Sequence, residues 1–141
     1  MKPETLSWLL RIAGVLHLGL LCAGLMMPKV VNLPRHLTAL PTFIRKLFWV
    51  YYAFIGLCLV SFGCITFGLA RELAAGSILA RALCVFLAAF WTLRLVAASF
   101  VFDLNPYLIS LPRRIGYYAT NLVFSYLPVV YLLAAWKGGA G

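Results

Sequence analysis

Four apolar stretches, each long enough to cross a bilayer, leave this chain little freedom in how it folds. They run from about Leu6 to Met27, Phe43 to Leu69, Ile78 to Phe102 and Arg114 to Trp136. At ~1.5 Å of rise per residue such lengths suit a hydrocarbon core of roughly 30 Å. A backbone in lipid must also satisfy its own polar groups, so each stretch is predicted to be a helix. The predicted fold is an all-α membrane protein: a four-helix transmembrane bundle, up-down-up-down, forming one domain over residues 1–141. Charged residues make up 11% of the chain, against about 25% in water-soluble domains. The first stretch reads as a span and not a cleaved signal peptide, because Arg11 interrupts it and no small-x-small processing site follows.

The connectors carry recognisable punctuation. Between the first two spans, Pro28 to Thr42 contains three prolines, and Asn32 followed by Pro34 predicts the capped start of a short helix. Leu33, Leu37 and Leu40 share one face of it, so it is expected to lie flat at the membrane interface with Arg35 and His36 turned outward. Ala70 to Ser77 reads as a loop short enough to force antiparallel neighbours, with Gly76 and Ser77 in the turn. Asn105-Pro106 predicts a helix end and a turn in which Asp103 is structural and in reach of Arg113 and Arg114. Pro128 removes the amide donor that the Phe124 carbonyl would use, predicting a kink in the last span.

The net charge of +9 arises from 12 Lys and Arg against three acids, Glu4, Glu72 and Asp103. These cations flank apolar segments, so the expected partner is the lipid bilayer with its anionic headgroups, not nucleic acid. Trp8 and Trp136 mark one interface and Trp49, Tyr107 and Tyr117 the other, which puts both termini on one side. The opposite side carries Lys29, Arg35, Arg45, Lys46, Arg113 and Arg114; the terminal side has Lys2, Arg71 and Lys137, with Arg11 and Arg81 snorkelling toward it. That balance of six against five points to termini outside the cytoplasm of a cell inner membrane.

Arg94 is the best pointer to a site, since a cation deep in a span needs a reason. It lies eight residues before Phe102, roughly 12 Å below the face opposite the termini; His17 is roughly 15 Å and Asn121 roughly 10 Å below that face. With Tyr52 and Tyr118 they are expected to form one polar layer and a hypothetical ligand-binding site. That layer holds no carboxylate, which disfavours a proton or cation pathway. A guanidinium there suits an anionic or carbonyl-bearing ligand: a quinone oxygen, a fatty-acid carboxylate or a lipid phosphate. The alternatives are that Arg94 locks the bundle by donating to carbonyls or Asn121, or pairs with an acid on another subunit.

Metal chemistry finds no support in the spacing. Cys22, Cys58, Cys64 and Cys84 fall within apolar stretches without a CxxC or Cys/His pattern and read as small hydrophobes. His17 and His36 are placed too far apart to share a haem or zinc. No phosphate loop, nucleophile elbow or carboxylate pair is present, so no enzyme activity is indicated and no cofactor is expected, a quinone being the alternative. Small residues recur at helical spacing at Ala53, Gly56, Val60 and Gly63, with Gly14 and Gly24 on the first span, which predicts close helix contact.

With four spans, Arg11-Ile12-Ala13-Gly14 in the first helix and Met27-Pro28-Lys29 at its end, the chain resembles the small bacterial DoxX-like membrane proteins. The resemblance covers the architecture and the first helix; it implies an association with quinone-linked sulfur oxidation. The sequence reading is an accessory or structural subunit of a larger membrane complex, with other membrane subunits or further copies of itself as partners. A quinone- or lipid-binding redox component, with Arg94 on the polar head, His17 exchanging a proton and Asn121 orienting it, is the alternative. A small organic-anion transporter ranks third, because no broken helices appear in matched halves.

Overall fold

The computed structural model describes residues 2–101 and 105–138. Its helices are α1 (Pro3–Val30), α2 (Leu33–Leu37), α3 (Thr42–Gly68), α4 (Ala70–Ala75), α5 (Ile78–Phe100) and α6 (Leu111–Lys137), with a single 3-10 turn at Asn105–Tyr107. Four of these, α1, α3, α5 and α6, are long and apolar enough to cross a membrane.

The helices pair before they bundle. Along α1 and α3 the partners run in opposite chain sense: Gly14 lies against Phe67, His17 against Gly63, Leu21 against Gly56, and Gly24 against Tyr52. Glycine is required at the centre of this seam. A Cβ on Gly14 would sit 2.7 Å from the Phe67 Cβ and 2.8 Å from its backbone nitrogen, and one on Gly63 would sit 3.0 Å from the His17 Cβ. Small residues thus let two backbones approach where lipid supplies no hydrophobic drive for association. Of the predicted stripe, Gly63 is buried and Gly56 half-buried, whereas Ala53 is exposed.

A second pair, α5 and α6, meets through Trp91 and Phe124, whose rings stack at 5.8 Å, and through Arg81, whose Nη2 donates to the Gly138 carbonyl at 2.6 Å. The two pairs join along α1 and α6, where the Tyr126 hydroxyl donates to the Leu9 carbonyl at 3.0 Å. Inward residues recur at alternating steps of three and four: Leu6, Leu10, Ala13, His17 and Leu20 on α1; Ala80, Cys84, Leu87 and Trp91 on α5; Phe124, Leu127, Tyr131 and Ala134 on α6. This is the spacing of helices packed at shallow crossing angles. The packed core occupies one half of the bundle. No residue from 42 to 62, 92 to 101 or 111 to 123 is fully buried.

Several boundaries differ from expectation. Pro28 does not open the connector; α1 runs through it to Val30 and buries it. A proline inside a helix leaves the carbonyl four residues earlier without its amide donor. Here that carbonyl belongs to Gly24, and the Tyr52 hydroxyl of α3 donates to it instead. The neighbouring helix thereby repairs the ladder, which is the condition under which lipid tolerates proline in a span. Asn32 adopts a left-handed conformation, φ 53°, and its side chain caps nothing; it forms the corner between α1 and α2. The short helix α2 occurs as expected and buries Leu37, with Arg35 and His36 exposed.

Ala70 to Ala75 is helix, not loop, and packs Ala70, Leu73 and Ala74 into the core beside α1. The chain reverses only at Gly76, φ 73°, where a left-handed residue is needed. Ser77 then caps α5 by accepting from the Ala80 amide at 3.2 Å. Helix α6 begins at Leu111, before the predicted Arg114, with Pro112 in its first turn. The expected Asp103 contacts lie outside the described residues.

The repaired carbonyl gives a direct test. Tyr52→Phe should lower unfolding stability in detergent by about 1 kcal/mol. In a Pro28→Ala background, where a new amide can serve Gly24, the same change should cost little. Equal losses in both backgrounds would contradict the assignment.

Candidate functional site

His17 owes its place to the inward stripe of α1, one step beyond Ala13, and is fully buried. Its Nδ1 lies 2.7 Å from the Ala13 carbonyl oxygen. A carbonyl only accepts, so Nδ1 carries the proton, and in the neutral ring Nε2 is left as an acceptor. The helix's own backbone therefore sets the tautomer.

Aromatic rings from three other helices close around that imidazole. Trp91 of α5 meets it edge-on at 5.1 Å, Phe62 of α3 at 6.4 Å and Tyr131 of α6 at 6.4 Å. Phe62 also meets Phe90 at 5.2 Å and Phe86 at 6.2 Å, which ties α3 to α5 through side chains. The Tyr131 hydroxyl and Thr66 Oγ1 are 2.7 Å apart, a buried hydrogen bond between α6 and α3. Within this cage two buried polar atoms have no hydrogen-bond partner among the described residues, His17 Nε2 and Trp91 Nε1. One accepts and the other donates. Leaving such atoms unpaired costs about 1–3 kcal/mol each.

Arg94 lies at the edge of this cage. It continues the α5 stripe of Ala80, Cys84, Leu87 and Trp91 by one further step, at the level where the core ends, and more than a third of its surface is exposed in the chain. Its guanidinium carbon lies 5.0 Å from the centroid of Phe124, a cation–π contact on a ring whose neighbour is Trp91.

The five expected residues do not converge as one layer. His17 is sealed in the core against Trp91, and the contact shown for Arg94 is with Phe124, the ring stacked on Trp91. Tyr52 is committed to Gly24 within the α1–α3 pair. Tyr118 is 68% exposed and contacts its neighbour Tyr117 edge-on at 5.5 Å. Asn121 is half-buried one turn before Phe124, on the same helix as the ring beneath Arg94. Depth was legible along each helix, but the direction around it decides contact. Composition and motifs do not single out Trp91, Thr66 and Tyr131, although spacing in the inward stripes marks the two on α5 and α6.

No family model, curated protein or solved structure gives a significant match to the chain.

The backbone contact predicts the His17 tautomer. Nitrogen-15 spectra of imidazole-labelled protein in detergent should show Nδ1 protonated and Nε2 bare at neutral pH. The opposite tautomer would contradict the geometry.

Proposed function

We propose that this integral membrane protein is an accessory or structural subunit of a larger membrane assembly. It threads an inner membrane up-down-up-down, with α2 at the interface and both termini on the non-cytoplasmic side. The observation that carries this reading is α3: of its 27 residues only Gly63 and Thr66 are buried within the chain. Phe54 and Ile55, 60% and 61% exposed, stand on a span held to its neighbours along one narrow seam. That leaves most of the helix available to another subunit, or to a further copy of the chain.

A second reading draws on Arg94. Its guanidinium carbon lies 5.0 Å from the centroid of Phe124 at the edge of the packed core, and a guanidinium is the group that recognises a quinone carbonyl or a lipid phosphate. The resemblance to DoxX-like proteins would fit a quinone there.

Gentle extraction separates them. The first reading expects a complex larger than the monomer, which Ile55→Trp dissociates without lowering the thermal stability of the isolated chain; a wild-type monomer would contradict it. The second expects copurifying quinone or lipid that Arg94→Leu removes at least tenfold, and unchanged retention would contradict it.

A further inference from the structure

Two adjoining grooves run along α1 on the side away from the His17 cage, and they share Trp8 and Arg11. The first, of about 420 Å³, lies between the start of α1 and α4, and its polar wall holds Glu4, Ser7, Arg11 and Arg71. The second, of about 270 Å³, continues along α1 and is walled by Ile12, Val15, Leu16 and Phe67. One end of the combined groove is charged and the other wholly apolar, with Trp8 at the junction. A tryptophan at such a boundary is the usual marker of the headgroup level.

Arg11 is fixed in place at that boundary. Its guanidinium carbon lies 5.4 Å from the Trp8 ring and 5.9 Å from the Phe67 ring, so aromatic faces from α1 and α3 hold it. A guanidinium carries its N–H donors in a planar fork that matches a phosphate. Arg71 reaches the same groove because α4 is a helix packed beside α1 and not a loose loop. Two guanidiniums and one carboxylate leave the groove net positive, which complements an anionic headgroup that also has hydroxyl donors for Glu4.

We infer that this groove binds one anionic glycerophospholipid of the phosphatidylglycerol type, its phosphate on Arg11 and Arg71 and an acyl chain along Ile12, Val15, Leu16 and Phe67. The site shares no residue with the Arg94 edge or with Phe54 and Ile55 of α3, so it stands or falls independently of the proposed assembly. Arg11, in contact with both rings, orients the phosphate; the apolar groove selects for a ligand with a chain.

The test is native mass spectrometry of the full chain from detergent, titrated with dioctanoyl phosphatidylglycerol, dioctanoyl phosphatidylcholine or inorganic phosphate. Wild type should retain one phosphatidylglycerol at least tenfold better than phosphatidylcholine, and Arg11→Gln/Arg71→Gln should abolish that preference. Val15→Trp, which fills the apolar groove from an exposed position, should lower retention without changing thermal stability. Equal retention of the two lipids, unaltered binding in Val15→Trp, or competition by inorganic phosphate at the lipid's own concentration would overturn the proposal.

Discussion

The close approach of α1 to α3 at Gly14 and Gly63 sets the rest of the structure. Lipid tails are as apolar as the side chains they surround, so helices in a bilayer associate through packing and polar contacts. Gly14 permits the backbone of Phe67 to come within contact of its own, and Gly63 does the same for His17. With the seam in this register, His17 is brought under Phe62, Tyr131 and Trp91, and Tyr52 reaches the carbonyl that Pro28 leaves open. Phe67, which closes the seam on one side, also supports Arg11 on the other. Packing and the electrostatics of the surface groove therefore share one residue.

A chain of rings connects the sealed core to its edge. His17, Trp91 and Phe124 touch in sequence, and Arg94 rests on the last of them. Beyond that level complete burial among the described residues is confined to Pro28 on α1 and Leu37 on α2. The two halves thus have different properties: one is held by an interlocked core with a hydrogen bond between Thr66 and Tyr131, while the other presents its apolar side chains outward. An unpaired acceptor on His17 and an unpaired donor on Trp91 sit where a well-packed apolar core would hold neither.

Much of the architecture was written in the sequence because lipid restricts the options. Lengths and hydropathy were enough to locate the four long helices, and Pro34 in its first turn marks α2, although the expected Asn32 cap does not form. The errors came where tertiary contact overrides local punctuation. Pro28 reads as a breaker, yet α1 continues because a tyrosine 24 positions later supplies the missing donor. Ala70 to Ala75 reads as a loop by its charges, yet three of its four small or apolar residues, Ala70, Leu73 and Ala74, share an inward face. For the candidate site, depth along each helix followed from residue counting, whereas rotation about the axis did not. The alternating three- and four-residue stripe holds that missing information: it places His17 inside, and it carries Arg94 to the edge of the packed half.

In the topology proposed above, the four long helices cross the membrane and leave the α2 connector and the chain termini on opposite sides. Impermeant maleimide labelling in intact inverted and right-side-out vesicles tests it directly, using single cysteines at His36 and Lys137 in a background lacking the four native thiols. The account predicts that each position labels in only one vesicle orientation and that the two orientations differ. Labelling of both positions from the same side would contradict it.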